Sequence, residues 1–471
     1  MQYHQDAPSF GGGVTSTILH PIVLVAMILA ILAMWALPRR RMLTVLLCTA
    51  FLIPLAQQIY LGGAHLFVLR IVIFGAWIRL IWMKVFSHQK IVSGGFHTLD
   101  KAFIVWAVFR ASAFIIQFPS VGAVTNQIGF FWDVFGAYFL LRYLIQDLED
   151  IRGAIRNLAW IAAIVSVSML NEKLRSQNVF GFLGGVPLSP GVREGSIRAQ
   201  GAFSHAILAG CFGATLLPLF FWLWRNGKSK ILAGIGVLAA TIITVTSASS
   251  TPLLVYVAVL MGICLWPIRN QMRLVRWGIV ISLVALHLVM KAPVWFLINH
   301  VDLVGGNSGY HRAMLIDMFV RHFGDWWLHG TSAASTWGWD MWDLSNQFVA
   351  EGESGGLLTF LCFIAMVSIS FGSIGKARKA VQGDLKKEWF MWLLGVTMFA
   401  HIIAFFGVSY YDHMQVSWFT FLAIIPVATA AQVFEPVPSL EGTAANPGLA
   451  MAPSPRRERK QLASANDGIR G

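Results

Sequence analysis

Apolar residues in this chain do not alternate with polar ones but run on for about 20 at a time, enough helix to cross a bilayer core of roughly 30 Å. The runs lie at approximately 18–37, 42–60, 65–86, 101–118, 125–145, 153–170, 203–224, 231–246, 251–266, 277–298, 355–374, 389–408 and 415–434. Lipid offers a backbone no hydrogen-bond partner, so each continuous run predicts a helix that satisfies its own amides. The pattern predicts an all-α fold, a polytopic transmembrane helical bundle of about 13 helices, with a large helical outer loop before the eleventh. The membrane-embedded domain is expected over 1–434. The tail at 435–471, rich in Pro, Ala, Gly and Ser with a basic cluster at Arg456, Arg457, Arg459 and Lys460, predicts a disordered cytoplasmic segment. No internal repeat is legible, and transporters predict both duplicated halves and broken helices.

Composition agrees with the pattern. Charged residues make up 12% of the chain, against about 25% in a soluble domain, so the surplus apolar surface must face lipid. A formal charge of +13 raises the question of a nucleic-acid partner, and the placement of the charges answers it. Arg39, Arg40 and Arg41, then Arg225, Lys228 and Lys230, then Arg269, Arg273 and Arg276, then Lys376, Arg378, Lys379, Lys386 and Lys387 each follow an apolar run. That is the spacing of cytoplasmic loops, which puts the N-terminus outside, the C-terminus inside and no nucleic acid among the partners. Residues 1–17 carry no Lys or Arg before the first run, so that run is expected to stay in the membrane. Cys48, Cys211, Cys264 and Cys362 stand singly in apolar runs and read as small hydrophobes, forming neither disulfide nor metal site.

This topology leaves two long outer loops, 171–202 and 299–354, where chemistry is to be sought. In the first, Arg198 stands at the mouth of the bundle ahead of His205. In the second, the stretch 309–323 has helical spacing, with Arg312 heading a stripe of Ile316, Phe319, Val320 and Phe323. A guanidinium on such a stripe calls for phosphate, carboxylate or a structural acid. Asp317 and Arg321 are spaced as a helix pair. His311, His322 and His329 can serve as bases near neutral pH. Trp326, Trp327, Trp337, Trp339 and Trp342 suit either interface anchoring or sugar stacking. Within the runs, Arg110 and Asp133 fall at similar depth and predict an ion pair, Arg70 lies where a lipid-linked phosphate can reach it, and Lys84, Lys101 and Arg142 read as snorkelling groups.

The motif Arg198-x-x-Gly-x-Phe-x-His205, the outer loop with Arg312, and Asn346-Gln-Phe-Val-Ala-Glu-Gly-Glu-Ser-Gly-Gly-Leu-Leu358 opening the next helix together resemble the O-antigen ligase and polymerase family. The resemblance covers most of 200–374 in order and topology, and the first half in hydropathy alone. It implies a bundle of the glycosyltransferase-C type in the bacterial inner membrane. It also implies transfer of glycan from undecaprenyl pyrophosphate on the periplasmic face without cofactor, metal or nucleotide sugar. By position Arg198 and Arg312 correspond to the family's pyrophosphate-binding arginines, with Arg70, His205 and Asn346 as further substrate-binding candidates. The family's usual His-Asn is Ser345-Asn346 here, so a base must come from elsewhere: His311, His329, Asp343 or Glu351. The implied activity is polymerisation of undecaprenyl-pyrophosphate-linked oligosaccharide repeats into a surface polysaccharide, beside other polysaccharide assembly proteins. The alternatives are a ligase, a non-catalytic assembly component and a transporter.

Overall fold

The structure is a computed structural model describing residues 16–62, 64–87, 95–226, 229–301 and 308–430. The chain divides into a unit of residues 1–433 and a short unit of residues 434–471. The short unit, with the basic tail, lies outside the described residues, as do Lys228 and the first fifteen residues.

Helices dominate. α1 (Pro21–Ala36) and α2 (Arg39–Leu52) lead into a short antiparallel hairpin, β1 (Gln58–Leu61) with β2 (Ala64–Phe67), then α3 (Val68–Ser87) and α4 (Thr98–Gln117). α5 (Val121–Phe131) passes through a π-helical turn, Trp132–Gly136, into α6 (Ala137–Leu144), which is followed by α7 (Leu148–Arg175). A second hairpin, β3 (Gly191–Arg193) with β4 (Ser196–Arg198), precedes α8 (Ala206–Asn226), α9 (Lys230–Thr246), α10 (Ser250–Cys264) and α11 (Met272–Val289). α12 (Ser308–Arg321) and the single turn α13 (Phe323–Trp326) come before α14 (Gln347–Ala380), α15 (Leu385–Phe405) and α16 (Asp412–Thr429). Among the described residues five stretches are long and apolar enough to cross a membrane: Leu148–Arg175, Ala206–Arg225, Trp266–Val289, Gln347–Ala380 and Leu385–Phe405. α8 sits centrally, against α9, α10 and α15, and α4 lies along α14. α11 buries no residue.

Several charges inside the bundle are paired, but not as depth alone suggests. Asp133 takes both its oxygens to Arg70, at 2.7 Å from Nε and 2.6 Å from Nη2, and Arg70 Nη1 donates to the His65 carbonyl at 2.6 Å. Arg110 instead meets Glu351 at 3.1 Å. The expected Arg110–Asp133 pair is therefore corrected. Rise per residue places a side chain along the membrane normal but not around the helix, and the π-turn adds a residue that rotates Asp133 toward α3. Arg142 does not snorkel either: it is 2% exposed and holds Asp100 at 2.9 Å, with the Tyr138 hydroxyl donating to the same carboxylate at 2.6 Å. Lys84 and Lys101 are exposed, as snorkelling requires.

α7 continues to Arg175, five residues past the predicted end of its run, and α14 begins eight residues before its predicted start. α14 is broken within. Gly356 adopts φ 73° and ψ −173°, so the helix stops and restarts. The amides freed by the break are taken up by the loop: Leu357 N donates to Trp327 O and Thr331 N to Glu353 O, each at 2.8 Å. Phe319, Trp326, Trp337, Met341 and Val349 close a small core over this junction.

A Cβ at position 356 would lie 2.7 Å from the Leu328 carbonyl oxygen in a backbone region that L-residues avoid. Gly356→Ala is expected to cost at least about 1–3 kcal/mol and lower the unfolding temperature in detergent. Gly372→Ala in the same helix, where a Cβ meets nothing within 4 Å, is expected to leave it unchanged or raise it.

Candidate functional site

Arg198 is carried by the second hairpin. Glu194 and Gly195, at φ 49° and 73°, form a two-residue turn with positive φ at both positions, the geometry that matches strand twist. Beyond it the chain is fixed by buried polar groups. Glu172, in the last turn of α7 and fully buried, accepts from the backbone N–H of Gln200 at 3.1 Å and Gly201 at 2.9 Å. Asn178 donates to the Gly201 carbonyl at 2.8 Å, and Ala199 N donates to Thr246 O at 3.1 Å. Arg198 Nη2 donates to the Ser249 hydroxyl at 2.8 Å, while its buried Nε finds no acceptor among the described residues. A neutral hydroxyl balances none of the guanidinium charge. Arg198 thus has hydrogen-bonding capacity and charge to offer.

Arg312 approaches from the other loop. It is 8% exposed, on the face of α12 that also buries Leu315 and Phe319. Val320 and Phe323, assigned to that stripe from spacing, are 51% and 45% exposed, so the stripe is corrected toward Leu315. The Asp317–Arg321 pair forms at 2.7 Å. Burial, then the charges of Arg193 and Arg312, hold the Arg198 pKa below the usual arginine value. Guanidiniums from two separate loops therefore lie close enough to act on one another.

His205 caps the start of α8. Its Nδ1 accepts from Ile207 N at 3.2 Å, so the neutral ring carries its hydrogen on Nε2 and presents a donor. Burial, then Arg198, lowers its pKa, and Asp343 opposes them. Asp343, exposed on the connection into α14, is also felt by Tyr411, whose hydroxyl hydrogen-bonds Ser204. Asn346 is 1% exposed and caps α14: its Oδ1 accepts from Phe348 N at 2.9 Å and Val349 N at 3.2 Å, and its Nδ2 has no acceptor among the described residues. His311, the residue before Arg312, is half-buried, with Nε2 2.9 Å from the Asp340 carbonyl oxygen.

Other predicted residues are occupied elsewhere. Glu351 is fully buried and accepts from Trp106 at 2.8 Å, Arg110 at 3.1 Å and Gln347 at 2.6 Å, locking α4 to α14. His329 lies at the α14 break, its buried Nδ1 without a hydrogen bond among the described residues. Arg70 belongs with Asp133 in a cavity of about 330 Å³, bordered also by Ser204, Asp412, Gln415 and the apolar Phe67, Ile73 and Phe419. Ser204 and Asp412 join this cavity to the site, because Ser204 precedes His205. Of the five tryptophans, Trp326 and Trp337 are core, at 3% and 6% exposure, whereas Trp339 and Trp342 stand out at 93% and 73%. Among the described residues no group of three His, Cys, Asp or Glu side chains can hold a metal ion.

Glu172, Ser204, Ser249 and Asp412 were not anticipated. The short polar stretch from Ser409 to His413 between two apolar runs is the one signal that points to Asp412. Compared with known proteins, the chain matches no family model and no curated protein sequence.

If Arg198 shares a field with His205, Arg198→Ala should raise the His205 pKa toward its ordinary value without fully restoring it, since burial remains. A pH titration of the His205 ring resonance, assigned through His205→Gln, checks the direction.

Proposed function

We propose that the chain is a polymerase that joins undecaprenyl-pyrophosphate-linked oligosaccharide repeats into a surface polysaccharide. The convergence of Arg198 and Arg312 from two separate loops supports this reading. Displacing a lipid diphosphate from an anomeric carbon builds negative charge on the leaving oxygen, and two fixed guanidiniums stabilise that charge where it develops. The donor of His205 and the Ser204 hydroxyl border the same region. The exposed Trp339 and Trp342 offer flat faces to a sugar chain at the rim. In this reading the chain crosses the bacterial inner membrane about 13 times, its N-terminus is periplasmic and its C-terminus cytoplasmic, and the two long loops work on the periplasmic side. Its partners are the lipid-linked oligosaccharide, the bilayer and other polysaccharide assembly proteins.

The break in α14 favours a transporter, whose interrupted helices present free backbone groups to substrate or ion. Here the freed groups are bonded to Trp327 and Thr331. The break docks the outer loop, which supports transfer at a site over transport through one.

Complementation of a deletion strain, at matched membrane expression, separates the readings. Arg198→Ala and Arg312→Ala should each reduce long polymer by about 10²-fold while single lipid-linked repeats accumulate, the size of effect seen when one charge-stabilising donor is removed. Normal polymer from both variants would exclude the catalytic reading.

A further inference from the structure

His311 is set up as a proton acceptor by its surroundings. A carbonyl oxygen only accepts, so the 2.9 Å contact with Asp340 O places the ring hydrogen on Nε2 and leaves the lone pair on Nδ1. The same carbonyl receives Asp343 N at 3.3 Å, and Asp340 adopts φ 62°, a left-handed conformation uncommon for a residue with a Cβ. The buried Met341 anchors this turn into the core beneath it. Nδ1 faces the Ser345 hydroxyl at 3.5 Å, a distance too long for a firm hydrogen bond, so its lone pair remains available to a second oxygen. Arg312 is the next residue on the same helix, and Trp339 and Trp342 flank the turn that holds the ring. Beside it stand Arg312 on α12 and, on the connection to α14, Asp340 and Asp343; Arg312 in turn acts on Arg198, and Asp343 on His205 and Tyr411.

We propose that His311 is the general base for the acceptor sugar. The inference rests on the transferase reading above. The acceptor hydroxyl gives its proton to Nδ1 as its oxygen bonds to the anomeric carbon of the donor. The bond from that carbon to the diphosphate oxygen breaks, and its electron pair leaves on the lipid diphosphate, held by Arg198 and Arg312. The proton on His311 then passes to water. Attack opposite the leaving group inverts the anomeric configuration. Of the other groups, Glu351 has both oxygens bonded, the His205 Nδ1 is used by Ile207 N–H, and the His329 Nδ1 is buried at the α14 break; Asp343 is left to the test.

The test measures chain elongation by the full-length protein in lipid nanodiscs from a polyprenyl-diphosphate-linked repeat, as a function of pH. Wild type is expected to lose rate toward acid pH as the base is protonated. His311→Gln should lose about 10²-fold or more and show no such acid limb, the contribution typical of a general base. Ser345→Ala should lose less than His311→Gln, and adding Ser345→His to His311→Ala should recover part of the rate by returning an imidazole to the same place. The proposal is overturned if His311→Gln keeps the wild-type rate and acid limb. It is also overturned if Asp343→Asn abolishes the limb instead, or if Ser345→Ala loses as much as His311→Gln, which assigns a serine nucleophile. Failure of wild type to elongate the repeat while binding it overturns the transferase reading itself.

Discussion

A charge placed inside an apolar bundle must be answered by another group, and this requirement organises the protein. Removing one partner of a buried pair costs roughly 3–5 kcal/mol, because the other is left uncompensated. Arg142 with Asp100, Arg110 with Glu351, and Arg70 with Asp133 meet the requirement, and each ties together helices distant in sequence. Glu351 illustrates the consequence: through Arg110, Trp106 and Gln347 it fixes α14 to α4, and Gln347 in turn accepts from Tyr410 N at 2.6 Å ahead of α16. The start of α14, where Asn346 caps the helix, is thereby held in place.

Arg198 is the contrast. Its side-chain hydrogen bond goes to a hydroxyl, and the charges that perturb it have its own sign. Such an arrangement is unfavourable unless an anion repays it, and the chain invests buried structure in keeping it: Glu172, Asn178 and the Glu194–Gly195 turn position the Arg198 strand, and the aromatic core above the α14 break positions α12. Rigid support on both sides lets two loops present guanidiniums at a fixed separation, which suits a ligand with two phosphates better than a flexible surface patch does.

How much of this was legible follows from what hydropathy measures. It reports depth and length, so the apolar runs and the two polar loops could be read, and Arg198 and Arg312 could be singled out as charges at the edges of apolar segments. It does not report azimuth, which is why Asp133 was assigned to Arg110 and not to Arg70, and why Val320 was placed on a face that belongs to Leu315. Glu172 falls within 171–202, the stretch expected as an outer loop, where a carboxylate ordinarily meets water. Here it turns inward to two backbone amides. The hairpin at 191–198 has a local signal, Glu-Gly between two short extended runs, too brief to stand out beside the long apolar stretches. The base candidates could be named from side-chain chemistry, but only geometry separates His311, with a free ring lone pair, from Glu351, with none.

The central claim is that Arg198 and Arg312 together hold a lipid diphosphate, and equilibrium binding tests it most directly. Purified protein is titrated with a polyprenyl diphosphate, with wild type compared with Arg198→Ala and Arg312→Ala. Loss of one charge-assisted contact of about 1.5–3 kcal/mol predicts affinity weaker by roughly tenfold to a hundredfold in each variant. Equal affinity in all three proteins contradicts the account.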